Sequence, residues 1–286
     1  MTATEPADGA VLPATLRLGA VHLIVTDLDR SVAFYQDSLG LRLHRRDGAV
    51  AALGAGADDL VVLHEEPAAR PPGRHAGLFH FALLYPSRDE LARAVQRLAL
   101  TRTAISGASD HGVSEAIYLS DPDGNGIELY CDRPRDAWPP AAPGERVGMF
   151  TRALDLDGLL ATAAGDEPPR HAGRGLRMGH VHLHVGDLAA ARDFYAGVLG
   201  FEEMTTYPGA LFVAAGGYHH HVGLNTWRGE GVGPAPSGTV GLREWTLELD
   251  SDALAALRAR LAAAGLGDGD VAADPSGNRV RITAST

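Results

Sequence analysis

No apolar run in the 286 residues approaches the roughly 20 needed to cross a bilayer as a helix. The opening stretch MTATEPADGAVLPATL also lacks a basic segment followed by an apolar one, so neither membrane anchor nor export signal is expected and the chain reads as cytoplasmic. A single cysteine, Cys131, excludes an internal disulfide. Positive charge is in deficit: 25 Lys and Arg against 36 Asp and Glu give a formal net charge of -11, which argues against nucleic acid or an acidic membrane surface as partner. Hydrophobic residues, 45% of the chain, suffice for a sizeable core in one large domain or two ordinary ones. The 13 histidines are the informative excess, because they cluster.

The sequence repeats itself. VHLIVTDLDRSVAFYQDSLGLRL (Val21 to Leu43) matches VHLHVGDLAAARDFYAGVLGFEE (Val181 to Glu203) nearly residue for residue. Each copy reads as a strand, an N-capping Asp (Asp27, Asp187), a helix with a buried Phe-Tyr pair (Phe34 and Tyr35, Phe194 and Tyr195) and a C-capping Gly. A weaker pair, His80 to Leu100 and Trp245 to Gly265, again reads as strand then amphipathic helix, and leads to DPDGN (Asp121 to Asn125) and DPSGN (Asp274 to Asn278). Four units follow, each a strand, a helix and about three strands. The Pro-rich stretch Arg133 to Gly148 separates units two and three and places a domain boundary, with domains at 16–135 and 176–286 and a linker region at 136–175.

Within HGVSEAIYLSDPDGNGIELY, His111 to Tyr130, the turn-forming DPDGNG precedes a strand on which Glu128 points away from Ile127 and Leu129. Glu128 either faces water or is an inward carboxylate that needs a cation.

The four-unit arrangement, and DLDRSVAFYQDSLGL in particular, resembles the vicinal oxygen chelate superfamily of glyoxalases, bleomycin-resistance proteins and extradiol dioxygenases, over about Leu16 to Ile282. The resemblance implies an α+β fold of four βαβββ modules forming two curved-sheet, barrel-like cavities, with a divalent metal held by one residue from a module's first strand and one from its last. In module one those positions are Ala20 and the neighbourhood of Val61. In module two they are His80 and Glu128. In module three the first-strand position is His180 and the last strand is apolar there; in module four the positions are Trp245 and Arg281. The ligands left are His80, Glu128 and His180, two histidines and a carboxylate as in the facial triad of non-haem Fe(II) oxygenases. Such a set requires modules two and three to share one cavity, leaving modules one and four to form a metal-free one.

The same stretch resembles the extradiol signature, with His111, Tyr118, Pro122, Gly124 and Glu128 at the family spacing and Ser109 departing from it. That resemblance implies Fe(II), or alternatively Mn(II) or another divalent metal, a small aromatic diol and O2 as substrates, and His111 and Tyr118 bonding the diol oxygens. It also implies an acid-base histidine from the module bearing a first-strand iron ligand. Three consecutive histidines in YHHHVGLN, taken as strand, put two on one face and one on the other, and counting back from the position aligned with Glu128 selects His220 over His219 and His221. Tyr118 reads equally as a structural hydroxyl. His22, His182 and His184 read as packing around the site, and DPDGNG as a hairpin turn despite some likeness to calcium loops. The expected activity is extradiol ring cleavage, with a glyoxalase-like lyase or isomerase, or a metal-free binding or resistance protein, as the alternatives; a homo-oligomer is compatible with each.

Overall fold

The computed structural model describes residues 11–267 and 269–285. The first module runs β1 (Arg17–Val25), α1 (Leu28–Asp37), β2 (Arg42–Asp47), β3 (Val50–Ala55) and β4 (Asp58–Glu65); the second β5 (Gly77–Tyr85), α2 (Arg88–Leu100), β6 (Ile105–Asp110), β7 (Ser114–Ser120) and β8 (Gly126–Asp132). After a short β9 (Arg152–Ala153) and α3 (Leu156–Ala161), the third runs β10 (Arg177–His184), α4 (Leu188–Arg192), a π-helical turn (Asp193–Val198), β11 (Glu202–Tyr207), β12 (Ala210–Ala214) and β13 (Val222–Asn225). The fourth is β14 (Gly241–Leu249), α5 (Ser251–Ala263), β15 (Val271–Ala273) and β16 (Arg279–Ala284). Among the described residues this last module has two strands after its helix rather than the expected three.

The helix starts follow from their caps. Asp27 accepts from the Arg30 N–H, Asp187 from Ala189 and Ala190, and Asp250 from Ala253, each satisfying donors that a helix start leaves free. Gly40 and Gly200 close the matching helices with positive φ. Tyr35 and Tyr195 are fully buried, and each donates its hydroxyl to the Asp that opens a DPxGN turn, Asp121 and Asp274, at 3.1 Å. The Asp121 carboxylate also accepts from the backbone N–H groups of Asp123 and Asn125, so DPDGN is a self-satisfied turn.

The strands form two sheets. The nine-stranded one has the order β11-β12-β13-β10-β5-β8-β7-β6-β9, the seven-stranded one β15-β16-β14-β1-β4-β3-β2. Modules two and three therefore share one sheet, and modules one and four the other. At each centre two first strands pair antiparallel, β10 with β5 and β1 with β14, each flanked by a parallel last strand. Alternation does the rest: Val181, Leu183, Phe81, Leu83, Val21, Leu23, Trp245 and Leu247 turn towards the helices in one continuous core, leaving the intervening residues on the concave faces.

Candidate metal centre and its cavity

Register places His180, Ala82 and Glu128 in one row across β10, β5 and β8, with His80 two residues along β5 on the same face. The three polar side chains are buried, and their donor atoms converge: His80 Nε2 lies 3.0 Å from Glu128 Oε2, His180 Nε2 lies 3.1 Å from the same oxygen, and the two imidazole nitrogens are 3.4 Å apart. Glu128 thus does not face water. Donors bound at about 2.1 Å and about 90° apart around a first-row divalent ion stand about 3.0 Å from one another, so the spacing suits a facial set of three.

The electrostatics suit it too. Burial alone would raise the Glu128 carboxyl, but the imidazoles of His180 and His80 outweigh it and hold it well below the usual carboxylate range. Burial pushes His180 down to about 4 against the pull of Glu128. An ionised carboxylate and a neutral imidazole are the states a divalent cation binds.

The second sheet repeats this geometry with other residues. Its equivalent row runs through Thr246 and Arg281, and the partner of His22 across the central pair is Glu244, as that of His182 is His80. The expectation of Trp245 at this position is corrected: Trp245 pairs with Val21 as Phe81 pairs with Val181, and is fully buried in the core. Trp245 lies only five residues before the helix-capping Asp250, against seven from His80 to Ser87, and the residue on the concave face is its neighbour Glu244. Glu244 is a buried carboxylate, but Arg281 Nε holds it at 2.7 Å. The ion pair takes the place of ligands and metal.

Local irregularities shape the first cavity. A bulge in β5 between the partners of His182 and Leu183 inserts Phe79, which lies with its ring 4.9 Å from His80 and 5.0 Å from His182. Glu128 has no counterpart in module three, where the register puts Gly223 beside His182; a Cβ there would lie 2.8 Å from His182 Cγ. His182 is thus pressed between Gly223 and His80, its Nε2 buried without a partner. His184 Nδ1 donates to Asn225 Oδ1 at 2.7 Å. His22 lies in the other cavity, its Nδ1 3.1 Å from His64 Nε2.

His111 and Tyr118 meet at the first cavity's wall, Nε2 to hydroxyl 2.7 Å. His111 Nδ1–H donates to the Phe150 carbonyl at 3.0 Å, which leaves Nε2 to accept from the Tyr118 O–H when the ring is neutral. Burial, reinforced by the Glu128 charge, raises Tyr118 well above an ordinary phenol, keeping it protonated. His220 lines the cavity beside His180, ring centroids 4.1 Å apart, but the three histidines precede β13 and are not strand as expected. Behind it runs a chain that no local pattern signalled: His220 Nδ1 is 2.8 Å from His219 Nδ1, and His219 Nε2 donates to Asp132 at 2.9 Å. His221 lies outside, against a separate depression with Tyr218.

The cavity measures about 870 Å³. Its floor carries His80, Glu128, Tyr118, His111 and His220, and its walls Phe79, Phe212 and Trp227. The region taken as linker also contributes, through Met149, Phe150 and Thr151 just before β9, which pairs onto β6.

Paired modules of this topology, with two histidines and a carboxylate at the centre of one curved sheet, define a class of metal-binding, double-module proteins. Residues 17–129 and 177–282 match the Glyoxalase/Bleomycin resistance protein/Dioxygenase superfamily, and the chain belongs to it. It is 46% identical over 237 residues to catechol-2,3-dioxygenase of Bacillus subtilis (strain 168), covering 81% of this chain and 82% of that one. It is also 29% identical over 118 residues to the glutathione transferase FosA of Serratia marcescens, covering 40% of this chain and 79% of the other. Among solved structures, glyoxalase I from Zea mays superposes with a TM-score of 0.57 at 19% identity over 94% of this chain and 92% of the other, a likeness of fold.

Proposed function

We propose that the protein is an extradiol ring-cleavage dioxygenase: it opens a catechol-type diol with O2 beside, rather than between, the two hydroxyls, at one divalent metal held by His80, Glu128 and His180. The observation that carries this is the convergence of those three donors at the floor of a cavity that also holds the His111–Tyr118 pair and His220. Similarity to a catechol-2,3-dioxygenase over most of both chains supports the same reading. Fe(II) is the ion that two imidazoles and one carboxylate suit best for oxygenase work, with Mn(II) as the alternative. When bound it supplies the redox chemistry with O2 and the Lewis acidity that eases ionisation of a diol hydroxyl.

The protein's own groups do the rest. His219 Nε2–H is committed to Asp132, so a neutral His219 accepts at Nδ1, and His220 Nδ1–H donates to it. His220 Nε2 is then a free base aimed at the cavity, able to take a hydroxyl proton and return it later. Tyr118, its proton held by His111, offers an oxygen lone pair to the second hydroxyl and orients the ring. The aromatic walls hold the ring in place as an effectively intramolecular partner.

The test uses protein loaded with Fe(II) without air. On admission of O2 and a panel of substituted catechols, oxygen uptake should match the appearance of a yellow semialdehyde-type product. A loaded protein showing neither would refute the proposal, and turnover independent of air would favour a glyoxalase-type reaction.

A further inference from the structure

The cavity is larger and more differentiated than a simple catechol needs. Along β10 about 13 Å, roughly twice the width of one benzene ring, separates His180 at the candidate metal site from His184, and His182 and His184 line the cavity. The metal-binding end is polar. The outer half is walled by aromatic rings: Phe79, Phe212 and Trp227 all pack on His182, at 5.0, 5.4 and 5.3 Å between centroids. Phe79 is 38% exposed and Trp227 53%, large apolar surface left open at a cavity wall.

Beyond the rings stands Arg228, also lining the cavity. Its Nη1 donates to the Gly73 carbonyl at 3.1 Å, which fixes the guanidinium, but its Nε and Nη2 have no protein partner among the described residues. Among the described residues no carboxylate pairs with it, and burial pushes its pKa down. Its neighbours Arg70 and Arg74 bond only to carbonyls of the same loops. In a chain with net charge -11, a half-buried arginine left without an anion marks a place where the anion comes from outside.

We propose that Arg228 is a specificity residue, and that the preferred substrate is a catechol joined to a second ring bearing a carboxylate, the ring lying among Phe79, Phe212 and Trp227 and the carboxylate on the Arg228 fork. This rests on the dioxygenase reading for the diol end only. The fork presents its free N–H groups to the carboxylate.

The test is binding without turnover. A catechol carrying a para-benzoate ring is titrated calorimetrically into anaerobic Fe(II)-loaded protein, against its methyl ester. The benzoate should bind about 10- to 100-fold more tightly, the range of a charge-assisted hydrogen bond. In Arg228→Gln the ratio should fall close to one, and in Arg228→Lys it should survive in part. Equal affinity of acid and ester for the unaltered protein, or a ratio untouched by Arg228→Gln, overturns the proposal, and the unaltered ratio decides alone if the variant does not fold. Because no oxygen is present, a benzoate preference in a protein that then fails to consume O2 would sink the dioxygenase reading while leaving this subsite standing.

Discussion

The proposed ligand set joins residues 100 positions apart, His80 on β5 and His180 on β10, at the seam where modules two and three pair. A metal there is a cross-link between the two halves of the chain, so its effect on stability can be read without any turnover. An ion that binds only the folded state stabilises it by RT ln(1 + [M]/Kd), about 2.7 kcal/mol at a hundredfold excess over Kd. With about 2–4 °C per kcal/mol for chains approaching this size, the midpoint of thermal unfolding should rise by about 5–10 °C when chelator-stripped protein receives Fe(II) or Mn(II). His80→Ala, Glu128→Ala and His180→Ala should each abolish most of the rise, because two remaining donors hold an ion far less well. Arg281→Ala should lower the starting midpoint, since it removes the 2.7 Å partner of buried Glu244 and leaves it only Arg279 at 3.8 Å, yet keep the metal-dependent rise. Circular dichroism or scanning calorimetry under nitrogen makes the measurement. A rise that survives His180→Ala, or vanishes in Arg281→Ala, would mean the site lies elsewhere.

Three further outcomes follow from the same geometry. Asp132→Asn should lower kcat about 10- to 100-fold by releasing His219, and with it the tautomer of His220, while metal content stays full by atomic absorption; loss of metal instead would make Asp132 a support of the ligands. Gly223→Ala sets a Cβ 2.8 Å from His182 Cγ and should destabilise by about 1–3 kcal/mol and weaken metal binding, as the ring is driven towards His80; an unchanged denaturation midpoint counts against that packing. Burial holds His184 at about 4 and His221 at about 3, below the ordinary 6.5, so the unfolded chain takes up more protons as pH falls. Metal-stripped protein should therefore be fully stable above about pH 6.5 and lose stability progressively towards pH 4, which denaturant melts at pH 7 and pH 5 will show; equal melts would mean these imidazoles are protonated in the fold.

Much of this was legible from the chain because it is written in short-range signals. The duplicated strand, Asp cap and helix survive in both halves with their spacing intact, and a spacing of seven residues from His180 to Asp187 is also found from His80 to Ser87. The pairing of modules followed from asking which histidines could share one carboxylate. Module four resisted because the apolar match drew Trp245 into line with His80, and only the strand register brings Glu244 there. The stretch His219 to His221 looked like strand because β-branched and aromatic residues surround it, yet the turn at Gly216 and Gly217, both with positive φ, delivers it as irregular backbone. Asp132 and His219 are 87 residues apart and belong to different modules, so no local periodicity connects them. Met149 to Thr151 carry no pattern at all; they reach the cavity because β9 adds to the edge of β6.

The two cavities answer one physical demand in two ways. Both sheets place a carboxylate on the concave face near the central strand pair, 3% exposed as Glu128 and 4% as Glu244, and a buried carboxylate requires compensation. In the seven-stranded sheet the compensation is covalent to the chain: Arg281 stands where the register would put the second ligand, and the charge is closed before any ion arrives. In the nine-stranded sheet the groups around Glu128 are the imidazoles of His80 and His180, the latter pushed down to about 4 by burial; such groups, when neutral, satisfy its hydrogen bonds but leave a unit of negative charge open. A divalent ion overcompensates that charge by one, and a singly ionised diol restores neutrality. The sheet with the arginine is therefore complete as folded, while under the proposed function the other would be electrically complete only with both metal and ionised diol, which would tie chelation of the diol to the charge of the site rather than to its shape alone.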